Sequence, residues 1–376
     1  MFLLINLPFT ILWTPLTRLT VGTVSERRQV VFAKVHKAAS STIQNIMLRF
    51  AMARNLSVLL PDHSNVLNEK ESKIDPSLLI AHQEGEPFDM LCNHLIFNES
   101  EIGKYVPETA FRVAILREPM KQALSALQYY TTVYPSKQLN DGLSKHPNDP
   151  INGFLQHPED FIQTEIGYNP ARSFVNNRMS IDLGFDLDNF EASKRNTTKI
   201  QAFLKKLESQ FDVILISDYF DESIVLLRRL LRWSFKDIIH FRVNTAHQED
   251  KFSIWNKKPI MNTTTIERFR QWDRIDYDLY EYFLPIFKEK IRNEYLFQNE
   301  LKAFQKVQQD ILSYCLNDKA FENLRIPKNL WTEEFIVSRS ECALMSLSEI
   351  KLVDLARNGQ LDRYNKKFQG KKNDSQ

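Results

Sequence analysis

Three times along the chain a short apolar, β-branched run ends in a polar turn and gives way to a helical repeat. From Gln29 the run Gln-Val-Val-Phe-Ala-Lys-Val has the continuous apolar character of a strand buried on both faces of a parallel sheet. It leads into His36-Lys37-Ala38-Ala39-Ser40-Ser41-Thr42, after which Ile43, Ile46, Met47, Phe50 and Ala51 recur at helical spacing. That spacing predicts a helix from near Ser41 whose N-terminus points back over the strand end. The second unit has Phe111 to Leu116 as strand, Arg117-Glu118-Pro119 as turn, and Met120 to Tyr130 as helix with Leu124 and Leu127 on one face. The third runs from Phe211 to Ile216, through Ser217 to Asp221, into a helix from Glu222 to about Trp233. Strands alternating with helices predict an α/β fold: a P-loop-like parallel sheet flanked by helices and joined by right-handed crossovers.

Residues 131 to 200 are richer in Pro, Asn, Asp and Gly, which predicts loops and short helices over the carboxyl edge of the sheet, where ligands bind in open α/β folds. Thr263 to Asn299 reads as helical, and the polar stretch Asn365 to Gln376 as a disordered tail. At the other end, Phe2 to Leu16 is apolar but interrupted by Asn6, Pro8, Thr10, Thr14 and Pro15, and is shorter than the ~20 residues that span a bilayer. Arg18, Arg27 and Arg28 follow it, which by charge alone argues against a cytosolic N-terminus. We divide the chain into a short apolar N-terminal anchor with a basic spacer (1–27), a catalytic domain (28–345), and a C-terminal helix with a polar tail (346–376).

Composition narrows the chemistry. The 376 residues carry 49 Lys and Arg against 47 Asp and Glu, a net charge of +2, so nucleic acid is not the expected partner. Nine glycines are spread so that no two lie closer than eleven residues. Every motif built on a closely spaced glycine pair is therefore excluded, and a phosphate cradle must use other small residues. Three cysteines without a C-x-x-C pair and eight dispersed histidines make a zinc site improbable. Cys315 and Cys342 could close a loop in an oxidising compartment or remain separate thiols. Five N-x-[ST] sequons, at Asn55, Asn98, Asn196, Asn262 and Asn373, exceed the about three expected by chance and lean towards a lumenal protein.

The first loop gathers Lys37, the hydroxyls of Ser40, Ser41 and Thr42, and the backbone N–H groups of Ala38 and Ala39 at a helix N-terminus. Orphan donors and the helix dipole there favour a phosphate or sulfate. Taken alone, the same residues also suit an ordinary helix cap with a solvated lysine. Arg117 ends the second strand, and Ser125 lies two helical turns on, so both could reach one anionic group; alone, Arg117 could simply pair with Glu118. Two anion sites at neighbouring strand ends suit a nucleotide bearing phosphates at two positions.

The ordered series Lys34-x-His36-Lys37-x-Ala39-Ser40-Ser41-Thr42, Cys92-Asn93-His94-x-x-Phe97-Asn98, and Ile115-Leu116-Arg117-Glu118-Pro119 with Ser125 and Tyr129-Tyr130 resembles the galactose-3-O-sulfotransferases, which include galactosylceramide sulfotransferase. Asp182-Leu183-Gly184-Phe185-Asp186, Tyr219-Phe220-Asp221-Glu222-Ser223 and Asp278-Leu279-Tyr280 extend the likeness over roughly residues 28 to 345. The resemblance implies a sulfotransferase fold in a single-pass type II Golgi membrane protein with a lumenal catalytic domain. It implies transfer from 3′-phosphoadenosine 5′-phosphosulfate (PAPS), without a metal, to the 3-hydroxyl of galactose on a glycolipid or glycoprotein glycan. Lys37 to Thr42 correspond to the 5′-phosphosulfate loop, and Arg117 and Ser125 to the 3′-phosphate site. Val35 and Ala38 depart from the family, which usually shows threonine at both.

Sulfuryl transfer needs a base for the acceptor hydroxyl and positive charge near the leaving phosphate. We expect His36 to be the base and Lys37 the cation, with His94 orienting the sugar or sharing the proton. Asp182, Asp186, Asp221 and Glu222 are expected only to cap helices and brace loops. Tyr129, Tyr130 and Trp272 are candidate sugar-stacking surfaces. Two other function classes remain at this point: a lumenal glycan-binding pseudoenzyme, which PAPS turnover would exclude, and a nucleotide-dependent phosphotransferase, which a metal-independent reaction would exclude.

Overall fold

In the computed structural model, residues 25–83, 85–162, 169–241, 262–317 and 322–373 are described, with side chains as far as Lys367. Four parallel strands form the central sheet, in the spatial order Met90–Leu91, Val30–Ala33, Phe111–Leu116, Val213–Ile216. Three of them are the expected strands; the fourth is a two-residue edge pairing too short to show a pattern. Ala33 lies opposite Ala114, and Leu116 opposite Ile216. Every residue of these strands is buried, as continuous apolar runs covered on both faces must be.

The strand order places the site. From Val30–Ala33 the chain goes first to the neighbour on one side, Met90–Leu91, and then to the neighbour on the other, Phe111–Leu116. At such a switch point the loops leaving the two central strands diverge and open a crevice at their carboxyl ends. The loops that diverge here are those beginning at Lys34 and Arg117.

Helices follow the first, third and fourth of these strands in chain order at Ser40–Ala53, Pro119–Thr132 and Phe220–Leu231. Pro119 occupies the first turn, where its missing N–H costs nothing. The Glu118 carboxylate caps that helix, accepting from the N–H groups of Met120 and Lys121, instead of pairing with Arg117. Between residues 131 and 200 the short helices Lys137–Lys145, Pro150–Gln156 and Arg178–Asp182 precede the longer Thr197–Gln210. Leu139, Phe154 and Phe161 join Met120, Leu127 and Phe269 in a second apolar cluster beside the main core. The helical Thr263 to Asn299 stretch is Thr263–Trp272, Arg274–Arg292 and the start of Phe297–Leu316.

Cys315 and Cys342 form a disulfide, fastening the Arg339–Ser346 helix to the end of Phe297–Leu316. The Asn365 to Gln376 stretch, expected to be disordered, is helical as far as Asn373: it belongs to a helix spanning Glu349–Asn373. Docking accounts for the difference. Gln360 accepts from the N–H of Val58 (2.8 Å) and donates to its carbonyl (3.1 Å), while Arg357 Nε donates to the carbonyl of Pro61 (2.8 Å). The anchor expected within residues 1–27 falls, up to residue 24, outside the described residues; among those described, no helix is long and apolar enough to cross a membrane.

Candidate active site

The loop between the first strand and its helix turns without glycine. Lys37 (φ 57°) and Ala39 (φ 62°) both adopt the left-handed conformation, which costs an L-residue about 1–2 kcal/mol. Local contacts hold the turn: Ser40 Oγ donates to the Val35 carbonyl (2.5 Å), and Arg117 Nη1 donates to the Lys37 carbonyl (3.0 Å). Arg117 thus ties the two strand ends together. The Lys37 ammonium lies 3.7 Å from the ring centroid of Tyr129. Burial, then the neighbouring Arg117 guanidinium, push that ammonium down to about 8. Ser125 is half-buried, makes no side-chain hydrogen bond to another described residue, and lies one turn before Tyr129 on the same helix face. Lys37 to Thr42, Arg117 and the Ser125 face of its helix therefore meet at one crevice, in an arrangement of cations, hydroxyls and a helix N-terminus suited to an anionic ligand.

His36 is buried at the entrance to this loop. Its Nδ1 lies 2.8 Å from Asp182 Oδ2, and its backbone N–H donates to the same oxygen (2.7 Å). A carboxylate only accepts, so the proton on this side belongs to Nδ1. Nε2 points the other way, 3.2 Å from Glu69 Oε2. Asp182 is itself held by the fully buried Arg178, whose Nε donates to Oδ1 (2.9 Å). Burial alone would raise the Asp182 carboxyl, but Arg178 and His36 outweigh it and hold it below the ordinary carboxylate range. Glu69 follows the same logic: burial would raise it, and His36 brings it down. The imidazole is thus bracketed by two carboxylates, Asp182 at Nδ1 and Glu69 at Nε2.

The short helix bearing Arg178 and Asp182 is braced from behind. Asp276, on the Arg274–Arg292 helix, accepts from the N–H groups of Met179 (3.0 Å) and Ser180 (2.7 Å) and from Ser180 Oγ (2.6 Å). Burial pushes the Asp276 carboxyl up to about 6. On the other side Gly184 (φ 84°) permits the turn after Asp182: a Cβ there would stand 2.2 Å from the Phe97 carbonyl oxygen.

His94 stacks on His36, with ring centroids 3.9 Å apart. Its Nε2 lies 3.0 Å from the ammonium of Lys34, and its Nδ1 3.3 Å from the Lys34 carbonyl. An ammonium only donates, so Nε2 is the acceptor and Nδ1 carries the proton. Burial, then His36 and Lys34, hold His94 well below the ordinary imidazole range. Lys34 also donates to Glu349, which receives Ser41 Oγ (2.6 Å) and Asn65 Nδ2 as well.

Of the residues singled out from the sequence, His36, Lys37, His94, Arg117, Tyr129 and Asp182 meet at the crevice, whereas Trp272 packs among Phe154 and Phe269 in the second apolar cluster and Asp221 accepts from Gln305. Tyr130 stacks on Phe174, whose ring lies 5.2 Å from His36. Asp186 braces a loop as expected, accepting from Asp188 N–H (2.9 Å), but Asp182, expected to do the same, orients His36. Lys34 stood in the quoted motif without a role, and Glu69, Arg178 and Glu349 were not singled out: Glu69 and Glu349 meet partners distant in sequence, whereas Arg178 and Asp182 form an i, i+4 pair on one short helix, a local signal. Among the described residues no group of three or more His, Cys, Asp or Glu is placed to hold a metal ion.

The family model for galactose-3-O-sulfotransferase matches residues 9–328. Galactose-3-O-sulfotransferase 2 of Sus scrofa is 33% identical over 305 residues, covering 78% of this chain and 70% of that protein. The Homo sapiens protein of the same name is 33% identical over 301 residues, covering 77% and 68%. Galactosylceramide sulfotransferase of Homo sapiens is 29% identical over 273 residues, covering 72% and 60%. A match over most of the chain, on a parallel α/β sheet, assigns this chain to the galactose-3-O-sulfotransferase family.

Proposed function

We propose that the chain transfers the sulfuryl group of PAPS to the 3-hydroxyl of a galactose residue in a glycolipid or glycoprotein glycan, without a metal ion. The observation that carries this reading is the Asp182–His36 pair one residue before the Lys37 to Thr42 loop. Asp182 fixes a proton on Nδ1, so Nε2 is the ring nitrogen that would take the proton of an incoming hydroxyl, which would have to enter between it and Glu69, 3.2 Å away. Lys37 and the N–H groups of Ala38 and Ala39, at the Ser40 to Thr42 helix start, would hold the phosphosulfate end, the Ser40 and Ser41 hydroxyls being engaged by the Val35 carbonyl and Glu349, and Arg117 and Ser125 would hold the 3′-phosphate. The loss of the family's threonine at position 38 removes a hydroxyl, but the backbone N–H groups of the left-handed turn remain.

In the reaction the acceptor oxygen gains the sulfuryl group as its proton passes to His36, and adenosine 3′,5′-bisphosphate departs with its charge facing Lys37. His94, neutral and held by Lys34, orients the sugar. We place the protein in the Golgi membrane as a type II protein with this domain in the lumen; the Cys315–Cys342 disulfide fits an oxidising compartment. The test is transfer of labelled sulfate from PAPS to a panel of β-galactosides in the presence of a metal chelator. Product analysis should place sulfate on the galactose 3-hydroxyl, and a 3-deoxygalactoside should bind without being sulfated. A protein that binds galactosides but turns over no PAPS would instead be a glycan-binding pseudoenzyme.

A further inference from the structure

Lys34 is the first residue beyond the Val30–Ala33 strand, and its side chain is fully removed from solvent. Its ammonium has two side-chain partners, Glu349 Oε1 and His94 Nε2. We propose that Glu349, at the start of the C-terminal helix, is a positioning residue of the transfer site: it keeps Lys34 a cation, whose ammonium in turn holds His94 in one tautomer. The assignment rests on the sulfotransferase reading given above. Glu349 lies beyond residues 9–328, the part of the chain that the family model covers.

A buried ammonium without a counter-charge gives up its proton, because burial penalises the charged form. Glu349 is the carboxylate in contact with Lys34. Among the described residues the other charged or titratable groups around this lysine are Cys92, His94 and the like-charged Lys37, with Asp182 already engaged by His36 and Arg178. Glu349 cannot swing away freely, since Ser41 Oγ and Asn65 Nδ2 hold its oxygens. The lysine in turn constrains His94. A charged ammonium can only donate, so Nε2 must accept and the imidazole proton stays on Nδ1, facing the Lys34 carbonyl. With Lys34 neutral that constraint disappears, and the ring lying 3.9 Å from His36 is free to change tautomer.

The experiment uses the full chain with carbon-13 at the lysine Cε, the Lys34 resonance being identified by its loss in Lys34→Arg. In wild type Lys34 should remain charged through neutral pH. In Glu349→Gln, which preserves shape, it should titrate at least one pH unit lower, and turnover at saturating PAPS and galactoside should fall by at least about tenfold. Glu349→Asp, which keeps the charge, should restore part of both. Lys34→Met and the Lys34→Met/Glu349→Gln double variant should be equally impaired, since the glutamate acts through the lysine. Wild-type lysine titration and wild-type turnover in Glu349→Gln would overturn the assignment, as would a Glu349→Asp variant no better than Glu349→Gln at an unchanged melting temperature. A wild-type protein that transfers no sulfate to any galactoside would sink the proposed function instead, and the lysine titration alone would then decide the role of Glu349.

Discussion

The rings of His36 and His94 lie face to face, 3.9 Å apart at their centroids and inclined by 18°, yet their partners have opposite sign. Carboxylates of Asp182 and Glu69 flank His36, whereas the Lys34 ammonium points at His94. Two histidines that the sequence leaves as competitors for one role are thus separated by their surroundings: His36 stands between carboxylates, whereas burial, His36 and Lys34 disfavour a second proton on His94.

His36→Ala should therefore keep its affinity for adenosine 3′,5′-bisphosphate and lose transfer by about 10²–10⁴-fold, the contribution of a positioned general base. His94→Ala should lose less turnover and raise the KM for the galactoside. Steady-state kinetics with titration calorimetry separates the two; a near-normal His36→Ala beside a dead His94→Ala would exchange the roles.

Donor binding should carry the signature of Lys37. Its ammonium, pushed down to about 8 by burial and Arg117, is charged below that pH and neutral above it, and an anionic ligand favours the charged form. Affinity for adenosine 3′,5′-bisphosphate should be nearly flat from about pH 6.5 to about 7.5 and fall up to about tenfold per unit above about 8. Lys37→Arg should remove that decline over the same range, because arginine does not titrate there.

Ser125 and Arg117 should behave differently. Ser125→Ala removes a hydroxyl that makes no hydrogen bond to another described residue, so it should weaken adenosine 3′,5′-bisphosphate and leave adenosine 5′-phosphosulfate, which lacks the 3′-phosphate, untouched. Arg117→Ala should weaken the bisphosphate sharply and the phosphosulfate to a smaller degree, since Nη1 also supports the Lys37 carbonyl of the 5′ loop. Calorimetric titrations showing equal losses for both ligands in both variants would refute the assignment of the 3′ site.

Glycosylation should be most complete at Asn55, an exposed residue in a left-handed turn after the Ser40–Ala53 helix. The side chains of Asn98, Asn196 and Asn262 instead cap helices, accepting from the N–H groups of Glu101, Lys199 and Thr265. Helix capping gives those asparagines a use independent of any glycan. Protein from animal cells should shift in gel mobility on glycosidase treatment, and Asn55→Gln should remove the largest part of that shift; no shift at all would count against a lumenal site.

The strand, loop and helix units were legible because continuous apolar runs and helical spacing are local signals, and the Lys37 to Thr42 loop follows directly from one of them. The boundaries differed by a few residues: Val30–Ala33 is shorter than the apolar run because Lys34 and Val35 already turn towards the site. What stayed hidden depends on distant pairing. Asp182 reads as a loop carboxylate until the fold sets it against His36, 146 positions earlier. The helix at Asn365 to Asn373 was masked by polar composition: the contacts that dock it, buried Leu352, Val353 and Ala356 and the bonds of Arg357 and Gln360 to the backbone of Pro61 and Val58, lie in the first half of Glu349–Asn373.

The bond between Lys34 and Glu349 joins positions 315 residues apart. A chain emerging from the ribosome exposes its anion-binding loop long before the helix that completes it has been made. Until then Lys34 must stay hydrated, because burying it alone would leave a charge without its partner. Closure of the site is therefore a late event in biogenesis, since it waits until Glu349 has been made. Chains ending before Glu349 would expose an unfinished crevice, with Lys34 deprived of its carboxylate.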